Sequence, residues 1–273
     1  MIVNGREIAN EIKESLKEKI SKIGKKLNII FVCVGENSVI NKFVSLKQKF
    51  ANELGIKSFV KKFSNEISEG NLKKEVKKII SDKDTNGIVI QLPLPSHINS
   101  KTILNLISKE KDPDFLGEES FDLFEKGKSK ILPPVVGAVV EIFKKHKVEI
   151  KSKKIVVIGK GKLVGLPISI WLKNSGAEVI SLEKGDVLEN YTRKADIIIS
   201  GAGSPNLIKP TMIKNGVILI DAGTSELNGQ IIGDIDKECD SRASIFSTIP
   251  GGIGPITIAK LFENLFLLNK NNL

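Results

Sequence analysis

Short apolar runs, each closed by glycine or proline, alternate with amphipathic stretches along most of the chain. This alternation limits the possible folds more than any other feature. Residues 27–34 read as a buried strand ending at Gly35, and 37–54 as a helix with Phe43, Leu46 and Phe50 on one face. A strand is expected at 57–63, a lysine-rich helix at 69–81, a strand from Gly87 to Leu92 stopped by Pro93 and Pro95, and a helix at 101–108. Such repetition predicts parallel strands with helices on both faces. A polar stretch from Lys109 to Lys130 separates this series from a second one. There Pro133-Pro134 opens a helix to about 146, as proline suits a helix start. Strands are expected at 154–158, 178–182, 196–200 and 216–221, with helices at 163–174 and about 255–269, the last apolar along Ile258, Leu261, Phe262 and Leu265. The fold class is α/β, in two α/β domains.

At 273 residues and 41% apolar content the chain can bury two modest cores. No apolar run approaches the roughly 18 residues that span a bilayer, so no membrane partner is expected. The start, Met1 to Glu7, is too polar for a secretion signal. Two cysteines, Cys33 and Cys239, make no disulfide framework, and with only His97 and His146 beside them no metal site is expected. A soluble protein of a reducing compartment, the cytoplasm, is the expectation. The formal charge of +10 rests on lysine: only Arg6, Arg193 and Arg242 are arginines, while isoleucine and asparagine are abundant too. That combination reads as A/T-rich coding rather than a selected patch, and readers of bases favour arginine and stacking aromatics, so no nucleic-acid partner is expected. His97 and His146 read as non-catalytic, the latter as a surface cation at a lysine-rich helix end.

Gly159-Lys160-Gly161-Lys162-Leu163-Val164-Gly165 follows a strand and opens a helix. Glycines there let backbone N–H groups at a helix N-terminus approach a pyrophosphate, as in Rossmann-type dinucleotide sites. Glu183 ends the next strand; its carboxylate can bind a ribose 2′-hydroxyl and repel a 2′-phosphate, which favours NAD. Lys160 and Lys184 would attract that phosphate instead and favour NADP. From the residues alone, both cofactors stay open.

Residues 34–49 (VGENSVINKFVSLKQK), 90–95 (IQLPLP), 111–114 (KDPD), 159–167 (GKGKLVGLP), 219–223 (LIDAG) and 250–257 (PGGIGPIT) occur in that order. Together they resemble the bifunctional methylenetetrahydrofolate dehydrogenase/methenyltetrahydrofolate cyclohydrolase family over nearly the whole chain. The resemblance implies a catalytic folate-binding domain at 1–117, with the last helix (255–273) packed back on it. It also implies a Rossmann-type NAD(P)-binding domain at 118–273, with the folate in the cleft between the two. It further implies oxidation of 5,10-methylenetetrahydrofolate with NADP, hydrolysis of the methenyl product to 10-formyltetrahydrofolate, and a homodimer. Lys47 matches the family's catalytic lysine, Gln91 the glutamine that holds it, and Asp114 the carboxylate that binds the pterin. Phe43 and Pro255 complete the implied substrate set. Gly159, Lys160, Gly161, Lys184, Thr224, Gly251 and Gly252 make up the implied cofactor set. General chemistry makes these roles reasonable: a lysine amine withdrawn from water can activate water or stabilise developing charge. A carboxylate such as that of Asp114 can accept from both the amino group and the ring N–H of a pterin.

Several positions depart from the pattern. Phe43 stands where the family has tyrosine, Ile40 where a serine is common, and Phe115 where glycine is expected after the aspartate. Lys160 and Gly161 replace Arg-Ser, and Leu132 to Gly137 replaces a Pro-Cys-Thr-Pro-x-Gly segment. Phe43 keeps an aromatic surface but can neither orient a water nor relay a proton. Two alternatives therefore stand beside the main reading: a family member that has lost the cyclohydrolase step, and a dehydrogenase of related fold acting on a shikimate-like hydroxy acid.

Overall fold

The computed structural model describes residues 1–22, 26–183, 185–227 and 230–270. The first part of the chain forms α1 (Gly5–Ser21), β1 (Asn28–Val34), α2 (Ser38–Glu53), β2 (Lys57–Phe63), α3 (Glu69–Ser81), β3 (Gly87–Ile90), α4 (Ser100–Leu104) and α5 (Glu118–Glu125). It continues through α6 (Pro134–Lys145), β4 (Lys154–Ile158), α7 (Gly165–Asn174), β5 (Glu178–Leu182), α8 (Glu189–Thr192) and β6 (Ile197–Ser200). The last part forms β7 (Val217–Asp221), β8 (Ser225–Leu227), β9 (Gln230–Ile232), β10 (Ala243–Ser247) and α9 (Ile253–Asn269). Two compact units result: residues 11–134 with 258–273, and residues 1–10 with 135–257.

The first of these carries a parallel three-stranded sheet in the order β2-β1-β3. The continuous apolar run of β1 has a simple cause, since both of its faces are buried. Ile29, Phe31 and Cys33 pack with Leu16, Val44, Ala51, Leu261 and Phe262, while Ile30, Val32 and Val34 pack with Leu72, Val76 and Ile103. Asn37 caps α2 by accepting from the Ile40 N–H at 3.0 Å, and Ser68 caps α3 through the Asn71 N–H.

The other unit carries a five-stranded parallel sheet in the order β10-β7-β6-β4-β5. Its core includes Val156, Ile158, Ile198, Leu219 and Phe246. From β4 the chain first adds β5 on one side and then β6 on the other, so the order reverses at β4. In open α/β sheets, ligands bind at the carboxyl ends of the strands beside such a reversal. The residues before α1 extend the β10 edge: the Val3 N–H donates to Phe246 O at 2.8 Å, and the Phe246 N–H to Met1 O at 2.9 Å.

The sheet strands expected from the sequence form, the helix expected at 69–81 forms with those bounds, and the other expected helices form with shifted ends. The helix expected at 101–108 stops at Leu104, and the stretch treated as a separator contains α5, with Phe124 buried. Neither α1 nor β10 was signalled. His146 is not a surface cation: it is half-buried, its Nε2 finds no hydrogen-bond partner among the described residues, and burial pushes its imidazole below the ordinary range. Among the described residues no helix is long and apolar enough to cross a membrane.

Candidate active site

Lys47 lies on α2, half-buried, and its Nζ donates to Gln91 Oε1 at 3.1 Å. The same amine sits 5.9 Å from the centre of the Phe31 ring, a favourable cation–π distance. Gln91 follows β3 directly and is 6% exposed; its backbone N–H donates to Val32 O at 2.8 Å, which extends the sheet ladder and fixes the side chain's origin. Its Nε2 is buried and finds no partner among the described residues. A buried unpaired amide donor costs on the order of 1–3 kcal/mol, so it is a reason to look for a ligand acceptor. Phe43 lies one helical turn before Lys47 on the same face of α2, half-buried.

Asp114 belongs to the same group. Desolvation raises its carboxyl above the ordinary range, and the positive charge of Lys47 opposes that rise. The loop presenting it is built by its neighbours. Asp112, buried, accepts from the Leu116 N–H at 3.2 Å and the Gly117 N–H at 2.9 Å; desolvation pushes its own carboxyl up to about 6. Lys111 Nζ donates to Ile80 O at 2.7 Å and Asp82 O at 2.8 Å, which satisfies carbonyls at the end of α3. From α9, buried Asn264 donates Nδ2 to Pro113 O at 3.0 Å and Leu132 O at 2.8 Å. Sequence reasoning missed Asp112 and Asn264. The signal for Asn264 was available: a lone amide among the leucines and phenylalanines of 261–268, beside Glu263. Phe115 adopts φ 59°, so the position where glycine was expected does need the left-handed region.

In the other unit, the candidate cofactor residues gather at the carboxyl ends of the parallel strands. The turn Gly159 to Gly165 leads from β4 into α7, Thr224 follows β7, and Gly251 and Gly252 follow β10. Pro255, in the first turn of α9, belongs to this unit, whereas Lys47, Gln91 and Asp114 belong to the first. Lys184 lies outside the described residues. The turn suits a pyrophosphate. Gly159 has φ 95°, a Cβ on Gly165 would stand 1.7 Å from Gly159 O, and Gly161 faces open space. Backbone can therefore approach a ligand there at the start of a ten-residue helix. Lys160 Nζ pairs with Glu183 Oε1 at 3.0 Å, both side chains being exposed.

Two buried aspartates stand behind this edge, and no local pattern signals their association. Asp221, 1% exposed, accepts from the Gly223 and Asp234 N–H groups at 3.1 Å each and from the Ile235 N–H at 2.9 Å. Desolvation pushes its carboxyl up to about 7. Asp234, 0% exposed, accepts from Ser200 Oγ at 2.7 Å and from the N–H groups of Ala202, Gly203 and Ser204 at 2.7, 3.2 and 2.7 Å. The fit is reciprocal: a Cβ on Gly223 would lie 2.0 Å from Asp234 Cγ, and one on Gly233 would lie 2.0 Å from Asp221 Oδ2.

Comparison with known proteins identifies both units. The family model "Tetrahydrofolate dehydrogenase/cyclohydrolase, catalytic domain" matches residues 3–114, and its "NAD(P)-binding domain" counterpart matches 133–273. The chain is 34% identical over 269 residues to the bifunctional protein FolD of Clostridium perfringens, covering 97% of each. It superposes on the crystal structure of the bifunctional FolD dehydrogenase/cyclohydrolase from Campylobacter jejuni with a TM-score of 0.95, at 35% identity over 100% of this chain and 99% of that one. The FolD of Trypanosoma brucei, solved with NADP cofactor and inhibitor, gives 0.95 at 29% identity over 100% and 98%. With both domains matched in order and nearly the whole length covered, this chain belongs to the tetrahydrofolate dehydrogenase/cyclohydrolase family.

Proposed function

We propose that the protein oxidises 5,10-methylenetetrahydrofolate to the 5,10-methenyl compound with NADP and hydrolyses that product to 10-formyltetrahydrofolate. The observation that carries the reading is the Lys47–Gln91 pair, 3.1 Å long, with the Asp114 carboxyl close enough to feel the Lys47 charge and a buried Gln91 amide that finds no partner among the described residues. That group offers an amine, an amide donor and a carboxylate to one polar heterocycle. Asp114 accepts hydrogen bonds from the pterin and fixes its orientation; Gln91 holds Lys47 and keeps a donor for the substrate. In the hydrolytic step, water adds to the methenyl carbon and a carbon–nitrogen bond breaks. Lys47 moves the water's proton and stabilises the adduct's charge.

Bound NADP supplies the hydride acceptor for the oxidation. Gly159, Lys160 and Gly161 hold its pyrophosphate side; Thr224, Gly251 and Gly252 lie along the same strand edge. The Lys160–Glu183 pair supports NADP over NAD, because the ammonium offsets the carboxylate that would repel a 2′-phosphate. The reading carries with it a homodimer working in the cytoplasm. The hydroxy-acid alternative loses its ground, since the match to the folate family covers both units.

A second reading, a dehydrogenase without the hydrolytic step, is favoured by one observation: the phenyl ring of Phe43 lies one turn from Lys47 and carries no hydroxyl. One assay decides both. Purified protein mixed with methylenetetrahydrofolate and NADP should produce NADPH and methenyl absorbance, followed by decay of the methenyl signal. Absence of turnover with either dinucleotide overturns the proposal, and persistent methenyl signal selects the second reading. In Lys47→Ala the hydrolysis should fall steeply, by on the order of a hundredfold, while dinucleotide binding persists.

A further inference from the structure

The turn after β6 has no regular structure to hold it, yet three of its successive backbone N–H groups converge on one side chain. Asp234 Oδ2 accepts from Ser200 Oγ, the Ala202 N–H and the Gly203 N–H, and Oδ1 accepts from the Ser204 N–H. The aspartate's own segment is fixed from two directions. Asp221 receives the N–H groups of Asp234 and Ile235, and residues 206–208 pair with 233–236 through Asn206 N–H to Gly233 O, Ile208 N–H to Asp234 O and Asp236 N–H to Ile208 O.

What this turn touches gives the arrangement its meaning. A Cβ on Gly159 would stand 2.6 Å from Gly201 O, and a Cβ on Gly201 would stand 2.3 Å from Val164 Cγ1. The backbone at 201 is thus wedged against both ends of the turn that starts α7. Packed contacts of this kind leave no slack, so a shift at 201–204 must displace Gly159 or Val164.

We propose that Asp234 is a positioning residue for the dinucleotide: its carboxylate sets the 201–204 backbone, and that backbone sets the Gly159–Gly165 turn against which the pyrophosphate binds. The inference rests on the reading of that turn as the pyrophosphate site. Only a carboxylate meets the demand at 234. Four donors approach two oxygens, whereas an asparagine offers one acceptor oxygen and turns an NH2 group toward at least one N–H or O–H. Lys47, Gln91 and Asp114 all belong to the other unit.

The test uses the full chain and reduced NADPH as fluorescent probe. Asp234→Asn should raise the dissociation constant for NADPH by about tenfold or more. In dehydrogenase assays, KM for NADP should rise by a similar factor, with KM for methylenetetrahydrofolate unchanged within about twofold. Ser200→Ala removes one donor of the four and should give a smaller weakening of the same kind; it keeps the test decisive if Asp234→Asn does not fold. A purely structural role would lower the melting temperature and leave the NADPH dissociation constant of the folded protein unchanged, and that result overturns the inference. Failure of the wild-type protein to bind NADPH at all overturns the reading of the turn, and the inference with it.

Discussion

Phe115 sets a backbone preference against a side-chain preference. An L-residue in the left-handed region costs about 1–2 kcal/mol, which glycine would avoid. The phenyl ring is buried, edge-on to Phe124 at 6.5 Å, and losing such a ring costs about 3–5 kcal/mol. Packing wins, which explains how a phenylalanine can stand where the family pattern has glycine. Both Phe115→Ala and Phe115→Gly should be destabilising in urea titrations, with glycine the milder by about 1 kcal/mol because it alone escapes the backbone cost. Equal losses would show that φ at this position carries no penalty. The sequence announced the unusual backbone here only through the family pattern, since nothing local to Phe115 does so. Phe43 can be tested the same way: Phe43→Tyr restores a hydroxyl one turn from Lys47 and should speed methenyl hydrolysis several-fold, while hydride transfer stays within about twofold. A hydrolysis rate that does not move would remove Phe43 from the argument.

Strands such as β1 and β4 were legible because both of their faces are buried, so they read as unbroken apolar runs. Helix α1 was not, because its apolar positions Ile8, Ile12, Leu16 and Ile20 are diluted by charge; only Met1 to Glu7 was weighed, as a start too polar for a secretion signal. Helix α5 opens with Glu118 and Glu119 inside a stretch that looked like a polar connection, yet Phe121 and Phe124 give it an inner face. Helix α9 was seen as one apolar face, and its polar member was overlooked. Asn264 is what ties α9 to the loop carrying Asp114. Asn264→Leu keeps the branched shape and strands two carbonyl oxygens, Pro113 O and Leu132 O, so it should cost about 1–3 kcal/mol in a denaturant titration. A neutral result would mean that water replaces the amide at both carbonyls.

Besides Asp114, desolvation pushes up one buried carboxyl in each unit, Asp112 to about 6 and Asp221 to about 7. Both bind their proton more tightly in the folded state, so the stability they contribute is whole below the ordinary carboxylate pKa of about 4 and is lost as pH rises through about 6 and about 7. Glu53, Asp196 and Asp236 act in the opposite sense: hydrogen bonds from Lys13, Lys214 and Lys209 hold them below the ordinary range, and their contribution is lost in acid. Maximum stability should therefore lie near pH 5, with the melting temperature falling between about pH 5 and 7. A melting temperature that climbs over that interval would contradict the assignment. None of this was visible in the formal charge of +10, which counts groups without regard to where they are buried. The α/β layout was visible because periodicity is local, whereas the pairing of Asp221 with Asp234 depends on chain segments that meet only in the folded state. Because each of these carboxylates fills the space a methyl group would need on the glycine beside the other, positions 221, 223, 233 and 234 form a single heritable unit. A descendant can leave that arrangement only by altering several codons together, and in a saturation library bulkier replacements at the two glycines should disappear as readily as replacements of the acids themselves.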